Sequence, residues 1–212
     1  MAETKVQEVE TNLAFERAKG FWAKYSKAII YVGSAVILLV GAYFVYKYFY
    51  KLPNEVKAND AVFVTQKAFS DLSNAQDDSS RALLANKVLN GEGPNLGALK
   101  VISRFGGTDA GNLANYYAGT AYLHLKKYNE AIKYLKEFST SSKQIQSRAY
   151  GMIGDAYAEL KKNDDALKYY KNAAEENTKD EYTSSEYLFR AGLFAESLGK
   201  TNDAIGFFKK IK

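Results

Sequence analysis

The sequence predicts an all-α chain in which one N-terminal transmembrane helix is followed by an α-solenoid of stacked helical hairpins. Two observations carry that reading. One is an uncharged run of nineteen residues from Ala28 to Tyr46, which spans about 28 Å at helical rise, close to the depth of a bilayer core. The other is a recurrence in the C-terminal half. Gly119, Tyr122, Ala131 and Leu135 are followed by Gly154, Tyr157, Ala166 and Tyr170, and then by Gly192, Ala195, Ala204 and Phe208. Glycine and alanine both advance by 35 in the first step and by 38 in the second. Hairpins that bury their apolar faces only against their neighbours require such phasing, whereas a chance pair of amphipathic helices does not.

Composition narrows the function. The 212 residues are 47% hydrophobic with two prolines and no cysteine, enough for one good-sized core and excluding disulfides and thiolate metal sites. Residues 1–51 hold seven Lys and Arg against four acids, and residues 52–212 hold 22 against 20. The globular part therefore has no long basic face for a phosphate backbone, and nucleic acid is not an expected partner. His124 is the only histidine, which removes Ser/His/Asp triads elsewhere, Cys/His dyads and multi-histidine metal sites. Paired carboxylates at Asp164 with Asp165 and Glu175 with Glu176 fall at repeat turns and helix ends, where solvated charge explains them. No catalytic residue, metal or cofactor is expected, and the chain reads as a non-enzyme.

Taken in order, residues 1–27 are polar with scattered apolar positions at Val6, Val9, Leu13 and Phe15, expected to form a short cytoplasmic segment with a surface helix. They lack the compact charged start and early apolar run of a cleavable signal peptide. Residues 28–46 are the transmembrane helix, ending in Tyr43, Phe44, Tyr46, Tyr48, Phe49 and Tyr50 like an interfacial belt, with Lys47 and Lys51 placed to snorkel. Gly33, Ile37 and Gly41 share one face on which another membrane helix can pack. Five Lys and Arg precede this helix (Lys5, Arg17, Lys19, Lys24, Lys27) and four follow it nearby (Lys47, Lys51, Lys57, Lys67). Trailing domains cross largely regardless of charge, so the N-terminus is expected in the cytoplasm.

Residues 47–57 form a juxtamembrane linker, and 58–105 are read as divergent capping helices or a degenerate repeat: apolar stripes over Glu55–Leu72, Ala82–Leu89 and Leu96–Phe105, broken at Asn74–Ser80 and Asn90–Pro94. Phe105–Asn112 is expected to be a loop, not a phosphate cradle, because it lacks the Lys-Ser/Thr of a P-loop, and Thr108 or Asp109 can cap the next helix. Three repeats fill 106–212. The chain stops at Lys212 with Ile205, Phe208 and Ile211 forming an uncovered apolar stripe, so the expectation is that the native protein continues or that the stripe docks on a neighbour.

The small, aromatic, small, large wiring of Asn115–Phe138 and its two recurrences resembles the tetratricopeptide repeat. In that family the first helix of each pair lines a concave groove. The resemblance places there Tyr116, Tyr117, Thr120, Leu123 and His124 from the first unit, Arg148, Met152, Asp155 and Glu159 from the second, and Glu186, Phe189, Arg190, Leu193 and Glu196 from the third. Aromatics and Met among charges suit a polypeptide ligand, although tyrosines at 116 and 117 could equally pack between repeats. Departures are informative. Asn115, Tyr150 and Leu188 stand where the family often has tryptophan, and no proline closes a unit. The family's dicarboxylate clamp needs Lys and Asn where this chain has Tyr116 and Thr120. Met152 and Glu186 replace two more clamp positions and only Arg190 agrees, so capture of an acidic chaperone tail by that clamp is not expected.

The layout as a whole, with Gly-Thr-Asp-Ala-Gly-Asn-Leu-Ala-Asn-Tyr-Tyr-Ala-Gly at 107–119, resembles the YfgM-type proteins of Gram-negative bacteria over most of the chain. The Phe-Trp-Ala-Lys-Tyr-Ser-Lys lead-in at 21–27 and the tyrosine richness point to the Bacteroidota branch. The resemblance implies an inner-membrane protein with a periplasmic repeat domain that associates with the SecYEG translocon and a membrane-anchored periplasmic chaperone of the PpiD type. The alternatives are a single-anchor import receptor with cytosolic repeats and a self-associating envelope scaffold.

Overall fold

In the computed structural model residues 2–211 are described, with side-chain surroundings for Leu13 and for residues 15–211. Met1 and Lys212 lie outside the described residues, as do the side chains of Val6 and Val9. Among the described residues there is no strand, and the chain divides into two units, Met1–Pro53 and Asn54–Lys212.

The first unit holds helix α1, Ala2–Val45, and a π-helical turn, Tyr46–Lys51. The most apolar 18-residue window of this helix has no buried residue, and Ile37, Leu38 and Leu39 are more than 70% exposed. This is one helix long and apolar enough to cross a membrane. Aromatic residues at its end pair one turn apart: Phe44 stacks on Tyr48 with centroids at 6.0 Å and Tyr46 on Tyr50 at 5.6 Å.

Among the described residues nine helices follow: α2 Leu52–Asn74, α3 Asp78–Asn90, α4 Ala98–Phe105, α5 Asp109–His124, α6 Tyr128–Glu137, α7 Lys143–Glu159, α8 Asn163–Glu176, α9 Glu181–Ser197 and α10 Thr201–Phe208. The loop expected over Phe105–Asn112 is shorter than the glycines suggested. Thr108 Oγ1 accepts from the Gly111 amide at 3.0 Å and donates to the Phe105 carbonyl at 2.6 Å, so a side chain satisfies the orphan donor of the helix start and α5 begins at Asp109. Asp77 caps α3 in the same way through the Ser80 amide.

From α5 onward the chain forms three helical hairpins, α5 with α6, α7 with α8 and α9 with α10. Their turns repeat atom for atom. The amides of Lys127, Lys162 and Lys200 each donate to a carbonyl five residues back, on Tyr122, Tyr157 and Ala195, at 2.9 Å. The residue before each is left-handed: Lys126 at φ 57°, Lys161 at 58° and Gly199 at 72°. Within each hairpin the glycine meets the large residue sixteen positions on. A Cβ at Gly119 would lie 2.5 Å from Leu135, one at Gly154 2.7 Å from Tyr170, and one at Gly192 would strike Phe208. The close approach of Gly119 is thus to Leu135. Ala131, Ala166 and Ala204 are buried at the other crossing. One continuous core runs from Ala58 of α2 to Ala191 of α9, as expected when each hairpin is covered only by its neighbours.

A concave face on the first helices and a cleft beside the cap

Among the described residues the backbone of α5 comes close to that of α7, and that of α7 to α9, while no such backbone approach joins α6 to α8 or α8 to α10. The first helices crowd together and the second helices splay, so the concave side belongs to α5, α7 and α9. Side chains confirm the ladder. Thr120 Oγ1 lies 3.5 Å from Met152 Sδ, and Arg190 Nη1 lies 3.5 Å from Asp155 Oδ2. Residues 152, 155 and 159 are three and four apart on α7, as are 186, 190 and 193 on α9, and so share a helix face.

Arg190 is the hub. It pairs with Glu186 at 3.0 Å as well as with Asp155, and lies 5.5 Å from the Tyr187 ring centroid. Asp155 also accepts from the Tyr170 hydroxyl at 2.8 Å. Burial raises the Asp155 carboxyl above its usual range, and Glu159 and Glu186 add to this against the Tyr170 hydroxyl and Arg190. Tyr187, on which Gly151 leaves room for close packing, is pushed up to about 12, chiefly by burial. Glu159 accepts from the Tyr128 hydroxyl at 3.2 Å. Phe189, Leu193, Arg148 and Glu196 are exposed on or beside this face. The centre of the groove therefore holds one guanidinium paired with two carboxylates, a third carboxylate, Glu159, acting on Asp155, and apolar side chains at its α9 end.

The first hairpin departs from expectation. Tyr116 and Tyr117 are 7% and 6% exposed, with Phe69 of α2 at 5.9 and 4.6 Å from their ring centroids and Phe138 at 5.1 Å from Tyr116. Both tyrosines are core residues, because helix α2 covers the face that an uncapped hairpin would offer. Thr120 is buried too, its hydroxyl donating to the Tyr116 carbonyl at 2.9 Å. Leu123 and His124 open onto a neighbouring cleft of about 800 Å³ beside α2 and α3, lined also by Leu72, Arg81, Lys126 and Tyr128. In the first unit Gly33 and Gly41 have nothing against them, and Ile37 between them is 72% exposed.

Sequence reasoning missed the cleft residues Arg81 and Lys126, and a clip on the second helices. Lys136 donates to the Tyr157 hydroxyl at 2.8 Å and sits 5.2 and 5.5 Å from the Tyr157 and Tyr169 ring centroids, tying α6 to α7 and α8. The available signal for Lys126 was that Gly199 fills the equivalent position. Among the described residues no group of His, Cys, Asp and Glu is placed to hold a metal ion.

Two stretches match the tetratricopeptide repeat family, residues 113–141 and 147–180. They coincide with the first two hairpins. No curated protein matches the chain. A solved structure described as "MamA RS-1 ArsTM double mutant" is similar over 90% of each chain, at 18% identity and a TM-score of 0.50, a likeness of fold. The chain is all-α, with one long apolar N-terminal helix and a tetratricopeptide-repeat-like solenoid, an architecture for protein–protein interaction.

Proposed function

We propose that this chain is a membrane-anchored, non-enzymatic scaffold, an ancillary subunit of the Sec translocon. Its N-terminus is cytoplasmic, α1 spans the inner membrane, and the groove on α7 and α9 recruits a PpiD-like periplasmic chaperone or an emerging polypeptide. One observation carries the reading: an apolar helix of bilayer length, with no buried residue in its most apolar window, stands in the same chain as an interaction solenoid. The YfgM-like layout supplies the translocon and the chaperone, and the slight excess of basic residues before the helix supports the orientation. Anchoring raises the effective concentration of a groove ligand held at the same membrane to the millimolar range, so modest groove affinity is sufficient.

The test is recovery of partners from solubilised membranes. SecYEG and a PpiD-like chaperone are expected in pull-downs through this chain. Phe189→Ala with Arg190→Ala should reduce chaperone recovery more than translocon recovery, and replacing Ala28–Tyr46 with an unrelated membrane helix should do the reverse. Protease added to spheroplasts should digest residues beyond Pro53, and full protection would place the repeats in the cytosol and sink this reading. The exposed apolar face of the last hairpin, with Tyr182 81%, Phe189 50% and Ile205 45% exposed, favours self-association as the second reading, and recovery of the chain alone would select it.

A further inference from the structure

The cleft between the cap and the first hairpin does not share its lining with the α7–α9 groove. Its accessible apolar lining comes from Leu123, Leu125 and Ala82, over the buried Leu72, and it also carries three basic side chains, Arg81, His124 and Lys126. The only carboxylate in the lining is Asp78, already paired with Arg81 at 2.9 Å. A second Arg81 nitrogen donates to the Gln76 carbonyl at 3.1 Å, which fixes the guanidinium at the rim. Lys126 makes no ion pair among the described residues, and Tyr128 turns its hydroxyl to Glu159 at the far rim. An apolar patch, one unpaired cation at Lys126 beside the Arg81–Asp78 pair, and an open mouth together define a complement.

We propose that this cleft is a second docking site, for an acidic polypeptide segment with an apolar residue beside its carboxylate. The carboxylate sits between Arg81 and Lys126, and the apolar side chain covers Leu123 and Leu125. Desolvation in the cleft and the Arg81 charge hold His124 below its usual range. A bound carboxylate opposes that, so affinity rises as pH falls through the His124 titration. Arg81 acts on the imidazole directly; the other charged groups of the cleft lining are Asp78 of α3 and Lys126 of the turn, and Glu159 of α7 is joined to it through the Tyr128 hydroxyl.

The experiment uses the full chain in nanodiscs of zwitterionic lipid, without an affinity tag. The probe is a labelled peptide of alternating Leu and Asp, compared with one carrying Asn for Asp and one carrying Lys. His124, the sole histidine, supplies a single imidazole NMR signal from the cleft. The Leu-Asp peptide is expected to bind, more weakly as salt rises, and to shift the His124 titration upward. Lys126→Gly should weaken it roughly three- to tenfold. That residue is left-handed, where glycine is at ease, so the change does not threaten the fold. Lys161→Gly makes the same substitution at the equivalent turn of the next hairpin and should leave binding unchanged. Equal binding of the Asn or Lys peptide, equal effects of the two glycine variants, or an unmoved His124 signal would each overturn the proposal. The α7–α9 groove reading would stand in all three cases.

Discussion

The glycines of the hairpins and those of the cap do different work. Gly119, Gly154 and Gly192 face side chains, Leu135, Tyr170 and Phe208. Gly91 and Gly97 face main chain: a Cβ on Gly91 would meet the Asn95 carbonyl and the Gly97 amide, and one on Gly97 the backbone of Leu89 to Gly91. Gly91 is also left-handed, at φ 77°. A side chain can turn aside, whereas a backbone crossing fixed by loop bonds cannot. The hairpins are thus copies of one unit joined by yielding contacts. The cap is a single tailored piece, clamped at Leu96, whose carbonyl accepts from buried Thr65 at 3.1 Å.

If that contrast is right, Gly91→Ala or Gly97→Ala should have the largest effect, a loss of about 3 kcal/mol or more from steric and backbone strain together, seen as a lowered denaturant midpoint. Wild-type behaviour would mean that the cap backbone yields after all. Next come the hairpin crossings. Gly154→Ala or Ala166→Leu forces Tyr170 or its neighbours aside at about 1 to 3 kcal/mol, and an unchanged melting curve would show the repeat contacts to be misassigned.

Asp155 comes third and is read by pH. Its folded carboxyl is raised, so its contribution to stability is full below the ordinary carboxylate range and is lost as pH rises through the raised value. Wild type should therefore lose stability over that interval and Asp155→Asn should flatten the loss, whereas parallel curves would remove Asp155 from the account. The smallest effect is at the turns. Lys161→Gly relieves a left-handed lysine and should gain a few tenths to about 1 kcal/mol, while Gly199→Ala, at the same place in the third hairpin, should lose a similar amount.

The same contrast explains what could be read in the sequence. The hairpins were legible because their packing is local: the glycine and the large residue sixteen positions later recur in phase, and the membrane run is legible from composition alone. The juxtaposition of α7 and α9 was legible where hairpin follows hairpin, as Asp155 meeting Arg190 shows. The surroundings of the first hairpin were not legible. Tyr116 and Tyr117 occupy groove positions by counting, yet Phe69 arrives from a cap helix with no repeat pattern and buries them. The cleft at Arg81 and Lys126 escaped for the same reason, since it forms between the tailored piece and the first copy.

The central claim is that the concave face of α7 and α9, and not the outer face, receives a partner polypeptide at the membrane. Photo-crosslinking from full-length chain in intact cells tests it directly. A photoreactive residue at Met152, on the concave side, should give adducts with the PpiD-like chaperone, and the same residue at Lys168, exposed on outer helix α8, should not. Equal adducts from both positions, or adducts from Lys168 alone, would contradict the account.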